Sequence, residues 1–217
     1  MTPPLSPEAP VPAPAVAFPA GFFDRADATD DARFYAAARL VTHLDDGAIA
    51  AVGELYDELA LGPHVLDVCS SWVSHFRTRP PQLTVLGMNA DELAANPAAT
   101  ARVVADLNAE PRVPLPDACV DDAVCCVSVD YLTRPVEVFA DLARVVRPGG
   151  RFVCTWSDRC FPTKAVRGWL STSDEQHLQV VTAYFAAAGG WLPAQTATRL
   201  PPGGFADPLW ACWAVRR

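Results

Sequence analysis

From residue 63 onward, short runs rich in β-branched or aromatic residues alternate with stretches of helical period, and that alternation constrains the fold more than any other feature. The strand candidates are HVLDVC, QLTVLGM, RVVADL, DDAVCCVSV, RFVCTW, WLPAQTATRL and PLWACWAVR, seven in all. Between them lie helical candidates: a short one from Val73 to Arg77, ADELAAN, PVEVFADLARVV, KAVRGWLST and SDEQHLQVVTAYFAAA, the last stopped by Gly189 and Gly190. Strand and helix in alternation specify an α/β fold with a mainly parallel sheet, because parallel neighbours need a crossover between them. The last two strands are joined by LPPGGFADP, which is too short for a crossover helix, so they should pair as an antiparallel hairpin.

Upstream of the first strand the character changes twice. Residues 1–29 open with seven of the chain's 21 prolines and one charge in the first twenty positions, a composition that propagates no helix. They are expected to form a Pro/Ala-rich, disordered tail. Residues 30–62 should be a helical cap: DDARFYAAARLVTHL spaces Phe34, Ala37, Ala38, Val41 and Leu44 on one helical face, and Asp46 is placed to cap a second helix, GAIAAVGELYDELAL. Residues 63–217 form the α/β domain.

A net charge of −8 opposes docking on phosphate backbones and anionic lipid, and no apolar stretch is long enough to span a bilayer. Nucleic acid and membrane are therefore not expected partners, and the sequence carries no signal for oligomeric state. A cytoplasmic location is expected, or an organelle if the N-terminus is a targeting segment. Seven cysteines in no CxxC or Cys/His ligand spacing predict buried thiols and no metal site.

The segment PVEVFADLARVVRPGGRFVCTW, with its helix, Pro148-Gly149-Gly150 turn and strand from Arg151, resembles the class I S-adenosylmethionine-dependent methyltransferases of type 11. The resemblance spans roughly residues 45–217 and implies a Rossmann-like, seven-stranded methyltransferase sheet. VPLPDACVDDAVCCVSV, with Asp117, Val120 and Asp121, looks like the entry to that family's fourth strand. The cofactor implied is S-adenosyl-L-methionine, held through Asp67, Cys69, Ser71, Asn89, Asp106 and Leu107. Asp67 matches the acidic residue of the family's glycine-rich loop, but Cys69, Ser71 and Val73 stand where three glycines are usual, and Trp72 adds bulk. Asn89 replaces the carboxylate that accepts from the ribose hydroxyls, and a neutral amide oxygen makes the weaker bond. Asp106 would face the adenine amino group and the Leu107 amide a ring nitrogen.

On the substrate side, ligands of open α/β sheets sit beyond the carboxyl ends of the strands. That rule selects Asp130, Tyr131 and His75 as candidates for chemistry. Within SDRCFPTK it selects Arg159, Cys160 and Lys164 as substrate-binding donors in an acidic chain. Phe22, Phe23, Tyr35, Arg39 and His43 are placed to close over the pocket as a lid. The reading that follows is methyl transfer to a small-molecule acceptor. The substituted loop motivates an alternative, a methyltransferase-like protein that has lost catalysis and serves as a binding or scaffolding subunit. A nicotinamide oxidoreductase lacks support, since no G-x-G-x-x-G follows any strand.

Overall fold

The computed structural model describes residues 17–217. All seven strands form: β1 (His64–Val68), β2 (Gln82–Gly87), β3 (Ala101–Val104), β4 (Asp122–Cys126), β5 (Arg151–Trp156), β6 (Gln195–Leu200) and β7 (Leu209–Val215). They make one sheet in the order β3-β2-β1-β4-β5-β7-β6. Pairing is parallel from β3 through β5 and antiparallel for β5 with β7 and β6 with β7, so the closing hairpin forms as expected.

Period-two alternation in the buried strands sends side chains to both faces, which is why these strands read as almost unbroken apolar runs. On one face Leu66, Ala123, Phe152 and Cys212 pack against α4 (Pro135–Val145) and α6 (Asp174–Ala188) through Phe139, Leu142, Tyr184 and Phe185. On the other, Val65, Val85, Val124 and Ala211 pack against α2 (Asp46–Glu58) through Ala48, Val52, Leu55 and Tyr56. Each large apolar side chain buried in this way contributes roughly 1.5–3 kcal/mol. Cys125, Cys154 and Cys212 lie in this core as free thiols, as expected, whereas Cys69, Cys119, Cys126 and Cys160 are only half-buried.

The turn that carries the family resemblance has a steric explanation. A Cβ on Gly150 would come within 1.9 Å of the Asp121 carbonyl oxygen, so α4 can return to β5 at this point only through glycine. Helix α6 begins at a capping box of Ser173 and Gln176 and ends at Gly189, where the sequence places its stop. Among the described residues no helix is long and apolar enough to cross a membrane.

Four expectations need correction. The first of the two helices of the N-terminal cap is cut short: α1 is only Asp31–Phe34, and residues 35–45 run without a helix before α2 begins. Tertiary hydrogen bonds override the helical period there, because the carbonyls of Tyr35 and Ala36 accept from Asn89 Nδ2 at 2.9 and 3.2 Å, and the Arg39 amide donates to Glu92 Oε1 at 2.7 Å. The expected short helix at Val73–Arg77 is likewise absent, and α5 shrinks to Arg167–Leu170. Finally, the tail does not extend to residue 29. Phe18, Phe22 and Phe23 pack on the α6 side of the core around Tyr184, and Asp24 and Phe22 carbonyls accept from the Arg167 and Gly168 amides. The tail positions before residue 17 lie outside the described residues.

Candidate functional site

Residues 18–45 form a strap that runs to the carboxyl edge of the sheet, where it is tied to the loops that follow β1, β2, β3 and β5. Lys164, fully buried, anchors it: the ammonium meets Asp31 Oδ1 at 3.0 Å, Asp27 Oδ2 at 3.1 Å and the Thr29 carbonyl at 2.9 Å. Arg25 and Asn108 complete the shell around Asp31, at 2.8 and 2.9 Å. These partners hold the Asp31 carboxyl below the usual carboxylate range despite its burial, and the Thr29 hydroxyl and amide bring Asp27 down to about 2. Burying so much charge is tolerable because every charge has a partner. Lys164 therefore fixes the strap and does not reach the pocket, contrary to the anion-binding role expected of it.

Between strap and sheet lies a cavity of about 410 Å³. Its walls include Asp67, Cys69 and Ser71 after β1, Asn89 and Glu92 after β2, Asp106 and Leu107 after β3, Tyr131 after β4, and Arg159, Cys160 and Phe161 after β5. Tyr35, Arg39 and His43 close it from the strap, and His75 lines it from beyond the first loop. All six residues expected at the cofactor thus border one space, together with Tyr131, His75, Arg159 and Cys160. The proposed lid divides: Tyr35, Arg39 and His43 cover the cavity, whereas Phe22 and Phe23 belong to the core.

Asp130 stands apart from the cavity lining. Its carboxyl is buried in the 3-10 turn Val129–Tyr131, Oδ2 finds no hydrogen-bond partner among the described residues, and burial pushes its pKa up to about 8. A group whose pKa rises on folding gives stability that is present below its unfolded value, near 3.8, and lost as pH climbs through the folded value. The protein should therefore lose stability from about pH 4 up to about 8. Asp130→Asn should flatten that part of the profile and converge with the native protein near pH 4, as urea unfolding across pH will show; parallel profiles would assign the slope to other groups.

The loop after β1 works without glycine. Cys69 adopts φ +55°, the left-handed backbone that glycine usually supplies, so the turn is kept at a cost of ~1 kcal/mol or more. Three serines brace it through carboxylates and an amide. Ser70 Oγ and Ser74 Oγ donate to Asp67 Oδ2 at 2.8 and 2.6 Å, Ser71 Oγ donates to Glu92 Oε2 at 2.6 Å, and Asn96 Nδ2 donates to the Ser71 carbonyl and Ser74 Oγ, both at 3.0 Å. The Trp72 indole N–H donates to the Val41 carbonyl on the strap at 3.0 Å, which anchors the bulky side chain outside the turn. The close approach that the loop no longer needs on its own chain is met from the facing strand: a Cβ on Gly87 would lie 2.2 Å from the Ser70 carbonyl oxygen.

Asn89 caps α3 (Ala90–Ala95). Its Oδ1 accepts from the Asp91 and Glu92 amides, both at 3.0 Å, while Nδ2 serves the strap. Asp106 Oδ1 accepts from the amides of Asn108 and Ala109 at 2.8 and 3.2 Å. Asp67 is buried, and desolvation raises its pKa to about 6 against the lowering effect of the two serines. His75 and His43 are both shifted down by burial, which favours neutral imidazoles near pH 7. Glu92 was not among the expected site residues. The sequence signal for it was only its place in the first turn of α3, one turn beyond Asn89.

Residues 66–154 match the family model of a methyltransferase domain. The match runs from β1 into β5, and its family is that of a methyltransferase domain. No curated protein matches the chain. Solved structures similar to this chain include the complex between the Trm112 methyltransferase activator and a methyltransferase of Haloferax volcanii, at 15% identity, TM-score 0.54, covering 78% of this chain and 95% of that one. A SAM-dependent methyltransferase from Aquifex aeolicus aligns at 15% identity and TM-score 0.53, covering 80% and 95%. The geranyl diphosphate C-methyltransferase of Streptomyces coelicolor, with Mg2+, geranyl diphosphate and S-adenosyl-L-homocysteine, aligns at 13% and 0.51, covering 77% of each chain. At such identities these likenesses speak for the fold.

The donor set of the cavity suits the family's cofactor. Asp67, Glu92 and Asp106 line it as carboxylates for a ligand carrying a sulfonium, an ammonium, a ribose diol and an adenine amino group, and its volume lies in the range of small-molecule sites.

Proposed function

We propose that the protein is a class I S-adenosylmethionine-dependent methyltransferase that transfers the methyl group to a small molecule held beneath the strap. The observation that carries this reading is that a cavity enclosed between strap and sheet gathers acidic groups from the β1–β3 loops together with basic and aromatic groups from the strap and the β5 loop. Asp67, Glu92 and Asp106 lie on the β1–β3 side, and Arg39, His43, Tyr131, Arg159, Cys160 and Phe161 lie towards the strap and β5. When bound, the cofactor supplies a sulfonium methyl for in-line displacement, a reaction that asks of the protein mainly orientation and exclusion of water.

The roles of the protein groups follow from their surroundings. Asp67, set by Ser70 and Ser74, faces the methionine side; Asp106 and the Leu107 amide read adenine; Cys69 and Ser71 shape the wall between. Glu92 takes the ribose position, because Asn89 has both its oxygen and its amide engaged in the α3 cap and the strap. The neutral imidazoles of His43 and His75 are available as bases for an acceptor that must lose a proton. Enclosure by the strap favours a small acceptor over a macromolecule, and the net charge of −8 disfavours nucleic acid.

Calorimetric titration with S-adenosylmethionine and S-adenosylhomocysteine tests this. Micromolar binding that strengthens as pH rises through about 6, where Asp67 ionises, is the expected result. Absence of binding for both compounds at millimolar concentration would instead favour the scaffolding alternative.

A further inference from the structure

The strap wall of the cavity holds a cation that has no ion-pair partner among the described residues. Among the described residues Arg39 and Arg159 are the Lys or Arg side chains that line the cavity. Arg159 is engaged, with Nη2 at 2.8 Å from Asp207 Oδ1 and Nε at 3.8 Å from Asp158. Arg39 makes no ion pair among the described residues. Its main-chain amide donates to Glu92, but the guanidinium itself bonds only the Phe34 carbonyl, through Nη2 at 2.8 Å. That leaves most of its five N–H donors for a ligand.

The surroundings hold this guanidinium in place. Its carbon lies 4.5 Å from the Phe34 ring centroid, 5.8 Å from Phe161 and 5.9 Å from Tyr35, so the plane is supported by aromatic faces. Phe161 in turn packs against Tyr131 at 5.9 Å and edge-on against His43 at 5.2 Å. The Tyr131 hydroxyl oxygen accepts from the Phe161 amide at 2.8 Å, which frees its own proton to donate. A chain with 25 acidic and 17 basic residues thus presents, in the strap wall of the cavity, an Arg with no ion pair among the described residues and a hydroxyl donor, set among rings.

We propose that this wall is a subsite for a planar, anionic acceptor, whose carboxylate or equivalent oxyanion pairs with Arg39 while its ring lies among Phe161, Tyr131 and Tyr35. The proposal rests on the methyl-transfer reading in calling the ligand an acceptor; the anion preference stands on Arg39 alone. A lysine would give the charge without the planar two-pronged donor edge, so Arg39→Lys should keep only part of the preference.

The test uses benzoate, phenylacetate and cinnamate, each against its own neutral amide, titrated into the full chain with and without saturating S-adenosylhomocysteine. At least one acid should bind about tenfold more tightly than its amide, as a charge-assisted pair requires. Arg39→Met should reduce that ratio to below about twofold, and Arg39→Gln provides the same reading if the Met variant folds poorly. Arg112→Met, which removes one exposed charge away from the cavity, should leave the ratio unchanged. Equal affinity for acid and amide in all three pairs, or a ratio that survives in both Arg39 variants, overturns the proposal. Failure of S-adenosylhomocysteine to bind while the ratio behaves as expected would overturn the cofactor reading and leave the anion site standing.

Discussion

Gly87→Ala is expected to cripple the cofactor site while most of the sheet stays folded. The new methyl would be built 2.2 Å from the Ser70 carbonyl oxygen and 3.2 Å from Leu93 Cδ2, both well inside ordinary contact. Ser70 cannot yield by rotating a side chain, because the clash is with its main chain, and its own amide is bonded to the Leu86 carbonyl at 2.8 Å. Relief therefore requires the loop after β1 to lift away from β2. Overpacking of this kind costs about 1–3 kcal/mol, which for a chain of this size lowers the melting temperature by roughly 2–4 °C per kcal/mol. The larger consequence is local. Lifting the loop separates Ser70 and Ser74 from Asp67 and Ser71 from Glu92, removing three hydrogen bonds to carboxylates. Hydrogen bonds to charged groups contribute about 1.5–3 kcal/mol each, so affinity for S-adenosylhomocysteine should fall by more than tenfold. Gly204→Ala, where the nearest atom is 3.6 Å from the new Cβ, should alter neither quantity. A Gly87→Ala protein with native melting temperature and native affinity would show that the loop is not held against β2 as described.

What could be read from the sequence divides along a physical line. The strands and the closing hairpin were legible because buried parallel strands need apolar side chains on both faces, and that requirement is written in contiguous residues such as Val65, Leu66 and Val68. The Pro148-Gly149-Gly150 turn was legible for a similar reason, as a local steric need. The strap was not legible: residues 35–45 carry a helical period, but its outcome depends on Asn89 and Glu92, some fifty positions away. Lys164 misled in the same way, since a solvated cation and one enclosed by Asp27 and Asp31 look alike in sequence. The missing glycines of the cofactor loop suggested impairment. Their replacement by serine hydroxyls, a left-handed Cys69 and a glycine on the facing strand could be recognised only once the two segments were seen in contact.

Glu92→Gln should remove the preference for a ribose over a deoxyribose. Glu92 is buried, lines the cavity and directs its two oxygens to different elements: Oε1 accepts from the Arg39 amide at 2.7 Å and Oε2 from the Ser71 hydroxyl at 2.6 Å. Each carboxylate oxygen retains a lone pair, which Asn89, with its oxygen accepting two amides, no longer offers. A bond from this carboxylate to a ribose hydroxyl would be charge-assisted, so S-adenosylhomocysteine should bind about tenfold more tightly than its 2′-deoxy analogue. The Gln variant places an NH2 where an acceptor stood and leaves one donor facing another, which lowers affinity for both compounds through the strap and loop. Only a direct role toward the ribose makes the two affinities converge, to within about twofold. Asn89→Ala separates the effects from the other side. Loss of the α3 cap costs about 0.5–2 kcal/mol of stability and loosens the strap at Tyr35 and Ala36, but the ribose preference should survive. A preference that persists in Glu92→Gln and vanishes in Asn89→Ala would return the ribose to Asn89, and with it the order of residues that the sequence first suggested.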